Sequence, residues 1–360
     1  MKTFDIMKEF SYEQVVYFHD KETGLKGITS IHDTTLGPAL GGTRLWDYTS
    51  EEEALVDVMR LARGMTYKAA AAGLNLGGGK TVLIGDPKTV KSEGYFRALG
   101  RFVQSLNGRY ITAEDVNTST KDMTYISMET DHVVGLVGKS GNPSPVTALG
   151  VLYGIRATLH EKFGSDSLEG KTFAVQGAGQ TGYFLIKYLL GDNELKDKAK
   201  KVYFTELNET YIERMKKEHP EVEFVDPEKI YSLEVDVFSP CALGGVLNDE
   251  TIPMLKCPIV AGSSNNVLKE ERHGEELKKR DILYAPDFVI NAGGLINVYH
   301  ELVGYNKDKA YADVQRIFDR LLDIFKISKD ENISVNIAAI KFAEKRIAMV
   351  KNVRSNYIPR

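Results

Sequence analysis

The spacing of apolar and polar positions changes several times along the 360-residue chain. Residues 10–32 alternate and are rich in β-branched side chains (VVYFHD, then GLKGITSIHD), which predicts strands, and GPALGGTR at Gly37–Arg44 reads as a glycine-rich turn. Helical spacing then takes over. Leu55, Val58, Met59 and Ala62 share one face, and Ser50 ahead of Glu51, Glu52 and Glu53 reads as a capping box that also places negative charge at the helix amino end. Gly64 sets the expected stop. Beyond it GMTYKAAAAGLNLGGGKTVLIGDP reads as a glycine loop running into a short buried strand, TVLIG, and RYITAED reads as a further strand ending in acid.

From Ser144 the stretch SPVTALGVLYGIRATLHEKFG predicts a long amphipathic helix, with Pro145 in its first turn and Gly164 at its end. Strand and helix then alternate through KTFAVQG, a helix from about 180, KVYFTEL, a helix over 209–218, VDVFSP, CPIVAGSS and ILYAPD. This is the βαβ rhythm of a doubly wound parallel sheet. Residues 308–328 and 333–352 predict two closing helices, the last packing back on the amino-terminal part. The expected fold is therefore α/β with two domains. Residues 1–138 with 331–360 are expected to form one α/β domain and residues 139–330 a Rossmann-type nucleotide domain.

Composition narrows the class. Lys+Arg 46 against Asp+Glu 50 leaves a net charge of −4, which argues against nucleic acid or a membrane surface as partner. Two cysteines, Cys241 and Cys257, supply no disulfide framework, and no Cys/His cluster has metal spacing, so no metal is expected. The first residues mix charges without an apolar leader, and no window approaches a membrane span, so a cytoplasmic location is expected. Only glycine runs high, at 32 residues, clustered at Gly37–Gly42, Gly73–Gly79, Gly177–Gly182, Gly244–Gly245 and Gly293–Gly294; these are expected to be loops lining one cleft.

In VQGAGQTG, Gly177, Gly179 and Gly182 match G-x-G-x-x-G directly after a predicted strand and at the start of a helix. The pattern suits a dinucleotide pyrophosphate on free helix N–H groups, or a tight βα turn without ligand. Glu206 ends the next strand, 24 residues past Gly182, where a carboxylate accepts ribose hydroxyls and repels a 2′-phosphate, favouring NAD over NADP. GLNLGGGKT is not a phosphate loop of the Walker kind, because position 74 is leucine. It delivers Lys80 instead, with Lys68 twelve residues earlier. Two converging ammonium groups repel, so one of them is suited to act as a base and the other to hold a carboxylate; two solvated surface lysines is the plainer alternative. Either Glu114 or Asp115 is placed to shuttle protons, or Asp115 caps the following turn. AGSSNN (Asn265, Asn266) and INAGGLINV (Asn291) put side-chain amides beyond strand-like runs.

Taken in order, HDTTLGPALGGTR, ARGMTYKAAAAGLNLGGGKT, GRYITAEDV, SGNPSP, SDSLEGK, QGAGQTG, PCALGG and YAPDFVINAGGLINV make the chain resemble the superfamily of glutamate, leucine, valine and phenylalanine dehydrogenases over nearly its whole length. It is most similar to the members acting on leucine. The resemblance implies NAD-dependent oxidative deamination of a branched-chain L-amino acid, a first domain that binds substrate and builds the homo-oligomer, an octamer or a dimer, and a cleft between it and the nucleotide domain. It implies that Lys68 binds the substrate carboxylate, Lys80 is the base that activates water, and Asp115 exchanges a proton with the amino group. Leu40, Gly41, Ala113, Leu295 and Val298 would line the side-chain pocket, with Asn266 near the amino group. Thr147, Asn265 and Asn291 would lie near the nicotinamide, and Gly177, Gly179, Gln180, Thr181, Gly182, Glu206, Cys241 and Ala242 would complete the cofactor contacts. Valine or phenylalanine dehydrogenase is the alternative within the class. A catalytically silent NAD-binding sensor is the alternative outside it, though such a protein need not keep Lys68, Lys80 and Asp115 together. GDNELKDKAKK looks like a surface extension.

Overall fold

The computed structural model describes residues 3–136 and 140–353. Two compact units emerge: the described residues of Met1–Asn142, Val298–Tyr305 and Ala343–Arg360, and those of Pro143–Asn297 with Asn306–Phe342. The sequence pattern had placed the crossing at 138 and the return at 331. The return falls inside one uninterrupted helix, where periodicity carries no mark of a change in neighbours.

The first unit runs α1 (Thr3–Phe10), β1 (Gln14–Asp20), β2 (Leu25–Asp33), β3 (Ala39–Trp46), α2 (Glu51–Ala71), β4 (Gly77–Ile84), α3 (Glu93–Ser105), β5 (Tyr110–Glu114) and α4 (Thr120–Ser127). Its sheet has the order β1-β2-β4-β3-β5. β1 and β4 are antiparallel to β2, and β3 is parallel to both β4 and β5. One face packs Ile28 and Val82 against Val58, Met59 and Ala62 of α2; the other packs Ile31, Leu45 and Leu83 against Tyr95, Phe96 and Leu99 of α3.

Three local expectations fail here, for identifiable reasons. α2 does not stop at Gly64, an exposed mid-helix glycine with open space around it. A single glycine costs about 1 kcal/mol, which burial of Thr66 and Ala69–Ala71 offsets. The helix ends instead at Gly73, φ 72°, where Gly73 N–H donates to Ala70 O and Leu74 N–H to Ala69 O, a Schellman closure. The Ser50 hydroxyl does accept from Glu53 N–H, but the Glu53 carboxylate reaches back to Thr49 rather than to Ser50. Nor are the glycines of Gly37–Gly42 and Gly73–Gly79 all loop residues: Gly41 and Gly42 lie within β3, and Gly77–Gly79 open β4.

The second unit begins with α5 (Ser144–Phe163) and continues β6 (Thr172–Gln176), α6 (Gln180–Leu189), β7 (Lys201–Thr205), α7 (Glu209–Glu218), β8 (Glu223–Phe224), β9 (Val237–Pro240), β10 (Ile259–Val260), α8 (His273–Lys279), β11 (Leu283–Tyr284), α9 (Asp287–Ile290), α10 (Gly293–Leu302), α11 (Lys307–Gln315), α12 (Ile317–Glu331) and α13 (Val335–Val353). All six strands are parallel, in the order β11-β10-β9-β6-β7-β8, the doubly wound arrangement with its switch between β6 and β9. α5 is not amphipathic: every residue from Ala148 to Leu159 is buried, so it is a central helix. Residues 308–328 are likewise two helices, broken at Arg316. The segment GDNELKDKAKK is more than surface, because Asp197 pairs with the buried Arg156 of α5.

α13 does close on the first unit's own residues. Arg346 donates to Leu74 O at 2.6 Å, to Gly73 O at 3.2 Å and to Asn75 Oδ1 at 2.9 Å, and Tyr67 Oη donates to Glu344 at 3.2 Å. Among the described residues no helix is long and apolar enough to cross a membrane.

Candidate active site

Side chains alternate across β4, so Gly78, Lys80 and Val82 point to the face covered by α2. Through the register, Leu40, Gly42 and Arg44 of β3 and Ile111 and Ala113 of β5 share that face. α2 lies directly on it: a Cβ at Gly78 would meet Thr66 N at 2.1 Å. Lys80 and Lys68 each follow that contact by two residues, Lys68 half-buried in the last turn of α2 and Lys80 buried at 5% exposure.

Lys80 Nζ reaches Asp115 Oδ1 at 3.0 Å, across the intervening β3. This crossing needs a bare backbone at Gly42, where a Cβ would lie 2.6 Å from Glu114 O and 2.8 Å from Asp115 Cβ. Gly41 is a matter of strand packing, since a Cβ there would sit 1.7 Å from Gly79 O. The second oxygen of Asp115 accepts from Arg44 Nε at 2.9 Å. Arg44 Nη1 continues to Asp57 Oδ2 at 3.0 Å, which also accepts from Tyr48 Oη at 2.7 Å, and Arg60 approaches Asp57 at 3.6 Å.

Burial pushes the Lys80 ammonium below its ordinary value, against the attraction of Asp115, and Arg44 adds to the fall. Burial alone would raise Asp115, but Lys80 and then Arg44 outweigh it and hold the carboxyl at about 2. The pair is thus a fixed carboxylate beside a lysine primed to give up its proton. Arg44, Asp57 and Tyr48 were not foreseen as part of this site. Arg44 stands in the quoted run GGTR, and the signal available was a lone charge inside a strand that otherwise reads as apolar.

In the second unit Gly177 follows β6 with φ 100°, and its N–H donates to Thr205 O at 2.8 Å. A Cβ on Gly182 would meet Gly177 O at 2.0 Å, whereas one on Gly179 would meet only a Tyr211 ring atom, at 3.9 Å. The first of these glycines' roles is close packing; the second leaves room at the amino end of α6, which Gln180 and Thr181 begin. Cys241 N–H donates to Gln176 O, which sets Cys241 and Ala242 against Gly177. Both cysteines are free thiols, Cys257 buried in the core and Cys241 half-buried.

The Glu206 carboxylate accepts from Ala178 N–H at 2.8 Å through one oxygen and from Leu207 and Asn208 N–H groups through the other. The oxygen facing Ala178 keeps a lone pair for a further donor. Asn291, 3% exposed, donates to Ser263 O at 3.1 Å and to Asn265 Oδ1 at 2.8 Å, while its own Oδ1 is buried without a partner. A buried orphan acceptor costs about 1–3 kcal/mol, and an amide N–H donor would relieve it. Asn266, φ 52°, contributes its carbonyl to Gly245 N–H, and Thr147 Oγ1 donates to Pro143 O. Leu295 and Val298 both sit on α10, buried and half-buried.

Asp249, Glu270 and His273 bring ligand-type atoms within 4.8 Å of one another. Their contacts in this structure are those of an ion-pair knot. His273 Nδ1 accepts from Glu270 N–H at 2.9 Å, so the neutral ring carries its proton on Nε2, 3.5 Å from Asp249, and Arg272 bonds both acids.

Comparison with known proteins covers both halves of the chain. The model of the Glu/Leu/Phe/Val dehydrogenase dimerisation domain matches residues 12–132, and that of the glutamate/leucine/phenylalanine/valine dehydrogenase domain matches residues 138–354. A leucine dehydrogenase from Thermoactinomyces intermedius is 56% identical over 99% of this chain and 97% of its own length. A phenylalanine dehydrogenase from Bacillus thermotolerans is 46% identical over 96% of this chain and 91% of its own. The crystal structure of L-tryptophan dehydrogenase from Nostoc punctiforme superposes with a TM-score of 0.84 at 46% identity, covering 97% of this chain and all of that one. With two family models spanning nearly the whole chain and relatives above half identity, the protein belongs to the glutamate, leucine, phenylalanine and valine dehydrogenase family.

Proposed function

We propose that this protein catalyses the NAD-dependent oxidative deamination of L-leucine and other branched-chain L-amino acids to the 2-oxo acid and ammonia. The observation that carries the reading is the Lys80–Asp115 ion pair at 3.0 Å, with Lys80 buried and its proton loosely held. Relatives 50–56% identical are leucine dehydrogenases, against 46–47% for the tryptophan and phenylalanine enzymes.

In this reading Lys68 holds the substrate carboxylate. Asp115, a carboxylate because of Lys80 and Arg44, takes a proton from the substrate ammonium, leaving the amine lone pair free to form the C=N bond. NAD, when bound, supplies the acceptor for the α-hydride. Lys80 in its amine form removes a proton from water as the water oxygen adds to the imine carbon. Lys80 passes that proton to solvent and then takes the carbinolamine hydroxyl proton as the C=O bond forms, the C–N bond breaks and the nitrogen, protonated by Asp115, leaves as ammonia. The side-chain pocket residues that the family likeness assigns, Leu40, Gly41, Ala113, Leu295 and Val298, carry no charge among them, which suits leucine over glutamate.

The residues suit NAD as cofactor. Gly177, Gly179, Gln180, Thr181 and Gly182 provide room and N–H groups for the pyrophosphate. Glu206 has an acceptor left for a ribose hydroxyl and repels a 2′-phosphate, which selects NAD over NADP. Asn291 Oδ1 suits the nicotinamide amide, with Thr147 and Asn265 beside it and Cys241 and Ala242 along the turn; Asn266 serves the substrate amino group. We further infer a homo-oligomer built through the amino-terminal domain, to be sized by light scattering. Steady-state kcat/KM for leucine, isoleucine, valine and phenylalanine with NAD and with NADP tests the whole reading. Leucine with NAD is expected to lead; phenylalanine in first place would overturn the pocket, and no NADH formation with any amino acid would overturn the function.

A further inference from the structure

Arg44 is the second of the two cations on Asp115. Its side chain is 23% exposed, so it is neither a solvated surface charge nor a lone buried one. Three features fix it in place. Its Nε points at Asp115 Oδ2, its Nη1 at Asp57 Oδ2, and Tyr48 Oη fills a further position on that same oxygen. The guanidinium fork therefore spans two carboxylates, one on α2 and one just past the end of β5, a geometry that lysine cannot reproduce because it offers a single point charge.

We propose that Arg44 is the positioning residue of this site: it occupies one oxygen of Asp115, presents the other to Lys80, and so sets the pH at which Lys80 is free to accept a proton from water. The catalytic meaning of this rests on the deamination reading above. The direction follows from the charges. With Arg44 present, Lys80 shares its counter-ion and faces a like charge, and both effects favour the neutral amine. Without it, the whole of Asp115 acts on Lys80. The other charged groups on this side are Asp57, Arg60 and Lys68 from α2 and Tyr48, while Glu114 of β5, next after Ala113, points to the opposite face of the sheet. On β2 the His32 ring is taken up by Thr66 Oγ1 and Phe10 O, at 2.8 and 2.9 Å. Arg60 and Tyr48 act on Asp57 and not on Lys80, and Glu114 accepts from Thr120. Arg44 and Asp57 are thus the adjustable charges behind the pair.

The test is the pH profile of Arg44→Gln, Arg44→Lys and Asp57→Asn in the full chain. Two readouts are taken: kcat/KM for leucine, and the rate at which Lys80 is acetylated by acetic anhydride, followed by mass spectrometry. In Arg44→Gln both profiles are expected to move about one pH unit toward alkali, which is a tenfold loss on the acid limb that higher pH recovers. Arg44→Lys, keeping the charge but not the fork, recovers part of that shift. Asp57→Asn keeps Arg44 and removes its counter-charge, so both profiles move the other way, toward acid, and this variant decides the matter should Arg44→Gln fail to fold. A fall in kcat/KM by the same factor at every pH, or an acetylation profile unmoved in these variants, overturns the proposal. If the wild-type protein oxidises no amino acid while the acetylation profile shifts as stated, the deamination reading falls and the control of Lys80 by Arg44 stands.

Discussion

The two sheets place chemistry by opposite means. In the first unit the candidate groups are charges, Lys80, Asp115, Arg44 and Asp57, fixed against one another by ion pairs of 2.9–3.0 Å on one face of the sheet. In the second they are backbone N–H groups and uncharged side chains around the turn after β6 and beside Asn291. Glycine serves both, differently. Gly42 lets one side chain cross a strand, and Gly182 lets a helix lie against a turn. A site built of charges is sensitive to protons; a site built of backbone is sensitive to volume.

The sharpest separation of the two is Lys80→Ala. It is expected to lower kcat for leucine deamination by about a thousandfold while leaving NAD affinity, measured by fluorescence titration, unchanged. Turnover at the wild-type rate would remove Lys80 from the chemistry. Volume is probed in the other unit by comparing Gly182→Ala with Gly179→Ala. A methyl on Gly182 runs into backbone at 2.0 Å, so this variant is expected to lose about 1–3 kcal/mol of stability by thermal unfolding. Gly179→Ala should unfold closer to the wild-type temperature and yet bind NAD more weakly. Equal loss of stability in both would erase the distinction between packing and ligand room.

The smallest effect concerns acid. The Asp115 carboxyl titrates at about 2 when folded against 3.8 ordinarily. Its contribution is therefore complete above 3.8 and is lost as pH falls through that window toward 2, a change of about 2 kcal/mol. Asp115→Asn should flatten this part of the acid-unfolding curve, measured by circular dichroism. An unchanged slope would mean that the ion pairs do not persist in solution.

The same contrast governs how much was readable beforehand. The turn around Gly177–Gly182 is local: six residues, a strand before and a helix after, and its glycine spacing carries the whole pattern. The doubly wound sheet followed from the alternation of short segments in the same way. The site around Lys80 is assembled by pairing strands that are distant in sequence. Lys80 and Asp115 stood out from the glycine loop and the acid-ended strand, and family likeness then set their roles, while Arg44, 71 residues from Asp115, gave no sign of its partner. The first half of β4 was hidden because its glycines pattern as a loop, and only the flanking strands β2 and β3 make GGGK extended ahead of TVLI. α2 was cut short because propensity was read at Gly64 without the sheet that covers the turns beyond it.

The Arg346 guanidinium, clasping the carbonyls of Gly73 and Leu74 between α2 and β4, has a consequence for how the molecule comes into being. The second unit is almost continuous in sequence, whereas the first waits for a residue more than 270 positions downstream of the loop it fastens. During synthesis the nucleotide-type sheet is able to fold while the lysine-bearing sheet is still missing its last strut. Loop-closure entropy grows only slowly with length, so this clasp costs little in final stability. Its effect is on timing: the loop between α2 and β4 is synthesised early and waits without this clasp until residue 346 has emerged.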